Sequence, residues 1–233
     1  MSHSLFACYE GPAACTPVLS NWFRGQPLQW LASLEVEIDA DLFVPETGNT
    51  ALFSDGPGPA AMLEFSSPEL AELEGMIADD EFRRHFHRTP AELAPEADIT
   101  FGIFQSLATP VAGADAIRPR TAGLSFVVRY YGPMADEAAF QDFYTAKHPP
   151  ILAQFPEIRN VFCYLPVASP ASNLPRSHIV LGNEVVFDDL QCLNVALQSD
   201  IMPLLKADSA RFPPFGHSTH HAMTREKLLK SEL

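Results

Sequence analysis

The sequence is poor in charge, in cysteine and in long apolar runs, and each shortage excludes a class of protein. Only 19% of the 233 residues are charged, and 15 basic against 29 acidic residues give a formal net charge of −14. Because this field repels phosphate backbones and anionic lipid, we expect neither nucleic acid nor a membrane surface as a partner. No apolar run is long enough to span a bilayer, and the N-terminus lacks the features of a secretory signal. We therefore expect a soluble, cytoplasmic protein.

Motifs for metals, nucleotides and reactive thiols are also missing. The four cysteines, Cys8, Cys15, Cys163 and Cys192, form no CxxC pair and have no zinc-type spacing. There is no glycine-rich phosphate loop, no dinucleotide fingerprint and no nucleophile elbow. We expect no metal and no cofactor, and we expect the cysteines to be buried as small hydrophobic residues.

What the sequence does contain is a weak internal repeat. Residues 21–45 align without gaps on residues 142–166, at an offset of 121 positions. The alignment places Phe23 on Tyr144 and keeps the spacing of the apolar residues, although few residues are identical. This pattern indicates a duplication.

The order of predicted elements repeats as well. Strand-like and helix-like segments follow the order β-α-β-β-α-β in both halves, which is the ferredoxin-like unit. Such a unit covers one face of its sheet with helices, so we expect the two bare faces to pack together within one chain. The predicted repeats are residues 1–112, which we interpret as degenerate, and 121–233. Long loops at 45–59 and 166–177 are rich in Pro, Gly, Ser and Asn, and loops of this length are often functional.

One short stretch, "FYTAKHPPIL" at residues 143–152, carries a histidine on an apolar helical stripe next to two prolines. The stripe directs His148 towards the sheet or a cavity, and Pro149 and Pro150 predict a kink or a restart of the helix. A histidine on such a face is more often a satisfied core residue than a catalytic one. The repeat favours a function, since the aligned residue of the first half is Pro27.

The stretch "FYTAKHPPILAQFPEIRNVFCYLP", followed by "NEVVFDDLQCLNVAL", resembles the EthD-like family of the dimeric α+β barrel superfamily. The C-terminal half matches well, whereas the N-terminal half matches only in element order. The resemblance implies a fused pseudo-dimer of the barrel, with His148 as the polar centre of its pocket. Members of this superfamily include cofactor-free aromatic monooxygenases, polyketide cyclases, decarboxylases and haem-binding proteins, so the resemblance does not choose a reaction.

The other candidate residues are those that could surround His148. Tyr144 lies one turn earlier on the same stripe, and Tyr131 is a second candidate hydrogen-bond donor. Tyr130 and Tyr131 face opposite sides of their strand, so only one of them can enter the cavity. Arg129 is a candidate anchor for an anionic group. The remaining predicted substrate-binding residues are Phe126, Phe143, Phe162, and His217 and His221, which share one face of the last strand.

Our first functional hypothesis is a cofactor-free lyase that decarboxylates a small aromatic acid or eliminates a group from it, with His148 as general acid and base. One alternative is a cofactor-independent monooxygenase or cyclase acting on an aromatic substrate. Another alternative is a non-catalytic protein that binds an aromatic ligand or haem. We expect either a pseudo-dimeric monomer or a homodimer.

Overall fold

The computed structural model describes residues 2–48, 50, 52–53, 55, 58–114, 116–119, 121–168 and 174–230. Parts of both long loops, including residues 169–173, lie outside the described residues. The strands of the described part are β1 (Ser2–Glu10), β2 (Asp39–Pro45), β3 (Ala61–Ser67), β4 (Asp98–Thr109), β5 (Gly123–Tyr131), β6 (Asn160–Pro166), β7 (Ile179–Phe187) and β8 (His217–Leu229). Its helices are α1 (Cys15–Phe23), α2 (Gln26–Ala32), α3 (Leu70–Ala78), α4 (Asp80–Arg83), α5 (Thr89–Leu93), α6 (Glu137–Leu152), α7 (Leu190–Leu197) and α8 (Ile201–Ser209), with a π-helical turn (Arg84–Arg88) before α5.

The strands close into a single barrel in the order β1-β3-β2-β8-β5-β7-β6-β4. Each half keeps the ferredoxin-like order, β4-β1-β3-β2 and β8-β5-β7-β6. The halves are joined by antiparallel pairing of β2 with β8 and of β4 with β6. The predicted fold class, two ferredoxin-like repeats that share one barrel within one chain, is therefore confirmed. The repeat boundaries at 112 and 121 remain predictions.

The offset of 121 positions holds in the structure. It carries the start of β1 at Ser2 onto the start of β5 at Gly123, and the start of β2 at Asp39 onto the start of β6 at Asn160. The plan of strand pairing is shared, since Phe6 of β1 lies opposite Glu64 and Val127 of β5 lies opposite Glu184, although the offset between these two glutamates is 120 positions. The two sheets are thus built on one plan.

Helix α6 carries the histidine predicted to be functional. Its N-terminus is capped by Asp136, whose Oδ1 accepts a hydrogen bond from the Ala139 amide at 2.9 Å. The kink or restart predicted at Pro149 and Pro150 does not interrupt it, because the helix continues to Leu152 with both prolines inside. The prolines fall in the last turn, so the helix ends soon after their two hydrogen bonds are lost. No helix among the described residues is both long and apolar enough to cross a membrane.

The barrel interior is closely filled. Its middle layer consists of mainly apolar side chains from both sheets, namely Phe6, Cys8, Phe43, Met62, Phe104, Val127, Tyr164 and Met223. Only about 30 Å³ of space remains among these residues and their neighbours. Because this volume suits at most a water molecule or two, the described residues of this middle layer leave no room for a substrate.

A buried charge pair lies at one end of this layer. Arg225 Nη1 lies 3.3 Å from Glu184 Oε1, and the two side chains are 0% and 1% exposed. Tyr164 donates a hydrogen bond to Glu184 Oε2 at 2.6 Å, and Ser125 donates another to Oε1. The sequence pattern predicts the last strand over residues 216–223. The structure extends β8 to Leu229, since its inward-facing charges are paired.

We expect the buried pair to be needed for stability. Replacing Arg225 by Ala leaves the Glu184 carboxylate buried without its cation, so the free energy of unfolding should fall by about 3 kcal/mol. This loss of unfolding free energy lies at the low end of the range for broken buried ion pairs, because two hydroxyls still donate hydrogen bonds to Glu184. The matched control is Arg24→Ala, which breaks the exposed Arg24–Glu226 pair and should cost about 0.5 kcal/mol. Urea denaturation measures both, and equal losses would contradict this account.

Candidate active site

A cavity of about 310 Å³ lies between the outer face of the second sheet and helices α6, α7 and α8. This volume is near the lower end of the range of about 300–1,000 Å³ for small-molecule sites. Most of the lining is apolar, and the polar side chains among it are few. The lining residues are Phe53, Phe126, Val128, Tyr130, Tyr144, His148, Leu152, Phe155, Asn183, Val185, Leu193, Leu197, Met202, Leu205, Lys206, Ser209 and His220.

His148 lies at the wall of this cavity and is paired with a carboxylate. Its Nδ1 is 2.9 Å from Asp208 Oδ2, and both residues are buried, at 7% and 6% exposure. Helix α6 supplies the histidine and helix α8 the aspartate, and these two helices pack against each other. Phe212 lies against the imidazole ring, with ring centroids 5.1 Å apart. The imidazole is therefore held in one orientation by a hydrogen bond and by packing.

This environment favours the neutral imidazole. Burial lowers the pKa of His148 below its ordinary value, and the Asp208 carboxylate opposes that shift only in part. With Nδ1–H donating to Asp208, the unprotonated Nε2 is left to accept a proton. The pair therefore has the arrangement of a general base with an orienting carboxylate.

Two tyrosines lie next to the histidine. The ring centroids of Tyr144 and His148 are 4.8 Å apart, and those of Tyr130 and Tyr144 are 5.2 Å apart. A hydrogen bond links the Tyr130 and Tyr144 hydroxyls. Burial raises the pKa of both phenols well above the ordinary value, so both remain protonated and act as hydrogen-bond donors. The tyrosine of β5 beside His148 is therefore Tyr130.

The prediction that groups Tyr131 with His148 is corrected by the strand geometry. Tyr131 lies on the inward face of β5, where it stacks on His217 with ring centroids 4.7 Å apart. Arg129 is on the same inward face and pairs with Glu10 across the barrel. Because successive residues of a strand alternate between its faces, the sheet separates both residues from the His148 cavity.

Only some of the other predicted substrate-binding residues lie at the cavity. Phe126 lines the cavity. Phe162 packs against the inward-facing cluster of the barrel, and His221 faces inward with His217, opposite Val127. Neither histidine can act with His148 as a second acid or base. Phe143 is half-buried on α6 and is not among the residues that line the cavity. Its ring centroid lies 6.0 Å from that of Phe212 and 5.7 Å from the Arg211 guanidinium carbon.

The equivalent space in the first half is filled with aromatic side chains. Tyr9 and Phe23 occupy the positions that correspond to Tyr130 and Tyr144, but the π-helical turn places Phe86 against both. Tyr9 donates its hydroxyl hydrogen bond to the Phe86 carbonyl oxygen at 2.7 Å. Phe82 packs on Phe86 with ring centroids 4.9 Å apart. Pro27, which the repeat aligns with His148, is also buried.

Sequence reasoning missed several polar residues of the site, among them Asp208, His220 and Asn183. Asp208 lies three positions after the buried Leu205 on helix α8, so a carboxylate on an apolar stripe was a usable signal. His220 takes the face of β8 opposite to His217 and His221, and it lines the cavity. Asn183 sits in a strand that reads as apolar, and no sequence signal singles it out. Among the described residues, no three His, Cys, Asp or Glu side chains come together as potential metal ligands.

Comparisons with known proteins agree with the fold. No protein-family model and no curated protein matches the chain. The structure of an anthrone oxidase-like protein covers 100% of this chain and 96% of its own, with a TM-score of 0.62 and 13% identity. A candidate monooxygenase from Lactobacillus acidophilus covers 96% of this chain and 93% of its own, with a TM-score of 0.56 and 8% identity. The fold is a dimeric α+β barrel.

The narrower resemblance to the EthD-like family stays a prediction. An EthD family protein from Bacillus halodurans covers 44% of this chain and 95% of its own, with 22% identity and a TM-score of 0.34. A match of this strength supports no argument about the site. The anthrone oxidase-like protein and the Lactobacillus acidophilus protein, at 13% and 8% identity, show a shared fold and no more.

We expect the pKa of His148 to depend on Asp208. NMR titration of the imidazole should give a pKa below 6.5, because burial lowers it. Asp208→Asn removes the carboxylate that opposes this shift, so the pKa should fall further. Asp136→Asn, which alters the cap of the same helix, should leave the value unchanged. A pKa that rises in Asp208→Asn would contradict the pairing.

Proposed function

We propose that the protein is a cofactor-independent oxygenase that acts on a neutral, flat aromatic substrate with an acidic C–H or O–H group, such as an anthrone or a polycyclic phenol. The observation that supports this most directly is the buried His148–Asp208 pair at the wall of an apolar cavity, with Tyr130 and Tyr144 beside it. The names of the two structural neighbours, an oxidase-like protein and a candidate monooxygenase, point to the same chemistry.

In the first step, His148 Nε2 removes the acidic proton of the bound substrate. Asp208 stabilises the imidazolium that forms and keeps the ring oriented. The negative charge of the substrate moves onto its oxygen, where a tyrosine hydroxyl donates a hydrogen bond. Because both tyrosine side chains are buried, this hydrogen bond is stronger than it would be in solution.

In the second step, the substrate anion itself reduces molecular oxygen. One electron passes from the anion to oxygen, and the two radicals combine into a new C–O bond, which gives a peroxide at the former C–H carbon. The proton held by His148 returns to the peroxide. Loss of water then leaves a carbonyl group, so that a CH₂ group and O₂ become C=O and H₂O. The substrate supplies all the electrons, which is why the proposal needs no redox cofactor.

The lyase that was our first hypothesis receives less support from this geometry. A decarboxylase must hold a substrate carboxylate, and the cation among the described lining residues is Lys206, which is exposed. Arg129, the predicted anchor, is paired with Glu10 on the other side of the sheet. An apolar cavity without a buried cation favours a neutral substrate over an acid.

The test is oxygen consumption with a panel of anthrones, naphthols and the corresponding aromatic acids. His148→Ala should lower kcat/KM for the active substrate about a hundredfold or more, because the general base is lost. Asp208→Asn should lower it less, since the base remains but loses its orienting partner. The matched control is His217→Gln, a histidine on the same barrel but on the far side of the sheet, which should retain full activity.

Isotope labelling decides between the two reactions. With ¹⁸O₂, the proposed reaction places one labelled atom in the product carbonyl and one in water. Release of carbon dioxide from an aromatic acid without oxygen uptake, abolished in His148→Ala, would instead support the lyase. Tight binding of aromatic ligands without turnover of any kind would favour a ligand carrier.

The pH dependence offers a separate check on the base. Activity requires the neutral imidazole, so kcat/KM should rise with pH along an acid limb whose midpoint lies below 6.5. In Asp208→Asn that limb should move to still lower pH while the plateau falls. A midpoint that does not move in this variant would mean that another group controls the limb.

A further inference from the structure

The loop between β2 and β3 of the first repeat extends onto the second repeat. The Glu46 amide donates a hydrogen bond to the Ala222 carbonyl oxygen at 2.9 Å, and Thr224 donates to Glu46 Oε2 at 3.1 Å. Further along, the loop approaches helix α7 so closely that a Cβ atom on Gly48 would lie 2.2 Å from Leu190 Cδ2. The loop is therefore packed on the elements that surround the His148 cavity.

Phe53 of this loop is part of the cavity wall. Its ring stacks on His220, with centroids 4.4 Å apart and planes 19° apart, and lies 5.3 Å from the ring of Phe126. All three residues line the cavity. Phe53 comes from the first repeat, whereas Phe126 and His220 come from the second. The cavity of one repeat is thus completed by an aromatic residue of the other.

Asp55 ties the loop to the same strand. Its Oδ2 accepts hydrogen bonds from the His220 amide and from His220 Nδ1, both at 2.7 Å. This two-point contact fixes the His220 ring and, with it, the surface on which Phe53 stacks. Within the loop, Thr50 donates a hydrogen bond to the Phe53 carbonyl oxygen at 2.7 Å.

We infer that Phe53 determines which substrates the site accepts, and that Asp55 and His220 position it. Resting on the oxygenase proposed above, the inference adds the substrate class: flat fused-ring molecules whose extent away from His148 is limited by the Phe53 ring. An aromatic wall favours a flat aromatic ligand, and the modest cavity volume makes the limit on its length strict. Shortening Phe53 opens the cavity towards the loop, so a longer ligand gains room while a shorter one loses a contact.

Equilibrium binding measurements test the role of Phe53 in ligand selection without requiring turnover. Chromone and xanthone share one pyranone carbonyl and differ by one fused ring, so the ratio of their dissociation constants reports the length limit. Phe53→Ala should lower the ratio of the xanthone dissociation constant to the chromone dissociation constant about tenfold. This is the size of effect that a changed apolar pocket wall produces. Phe53→Trp should raise the ratio. Asp55→Asn and His220→Gln should lower it by a smaller factor, because they loosen Phe53 without removing it.

Leu52→Ala is the matched control, since Leu52 is the neighbouring residue of the same loop and is 55% exposed. It should leave the ratio unchanged. Circular dichroism verifies that each variant is folded. If the ratio in Phe53→Ala stays equal to that of Leu52→Ala, or rises, the inference is wrong.

The oxygenase proposal can fail separately from this inference. If no anthrone or naphthol consumes oxygen while the binding ratio still shifts in the Phe53 variants, the reaction is wrong and the role of Phe53 stands. If oxygen is consumed through His148 but the ratio does not shift, the reaction stands and Phe53 has no role in selection.

Discussion

Closure of the barrel is the constraint on which the rest of this structure depends. Because every strand is paired on both sides and each sheet is covered by helices, successive residues of a strand enter two different buried compartments. Along β5, Phe126, Val128 and Tyr130 face the helices and line the His148 cavity. Arg129 and Tyr131 face the barrel interior. A one-residue shift of β5 that moved Arg129 to the position of Tyr130 would replace the phenol beside the histidine by a guanidinium.

The same constraint explains the buried charges. The inward side chains have little contact with water, so a charged group there needs a partner of opposite charge or several hydrogen bonds. Glu184 has both, from Arg225 and from two hydroxyls. Lys227 is placed in the same way between Asp39 and Asp41, at 3.1 and 2.9 Å. These pairs allow a charged segment to serve as the end of β8, which joins the two halves.

Sequence reasoning could predict the features that depend on local pattern. The element order, the Asp136 cap and the position of His148 on the inner stripe of α6 all follow from periodicity or from residue type. The choice between Tyr130 and Tyr131 does not, because two identical neighbours carry no information about which face is outward. That choice depends on pairing with β7 and β8, far away in sequence. Asp208 becomes meaningful only when α8 is packed on α6, which periodicity within α8 alone cannot show.

The aromatic side chains that fill the cavity position of the first repeat illustrate how mutations act differently in a fused chain and in a symmetric dimer. In a symmetric dimer of single repeats, every substitution appears twice, so a residue that fills one pocket fills both. In a fused chain the two copies mutate independently. The first copy could therefore acquire Phe82 and Phe86 in its pocket, at 0% and 1% exposure, and contribute packing while the second kept an open cavity. Once its loop had come to lie over the neighbouring cavity, the first copy could no longer be deleted without leaving that cavity open, which makes the fusion difficult to reverse.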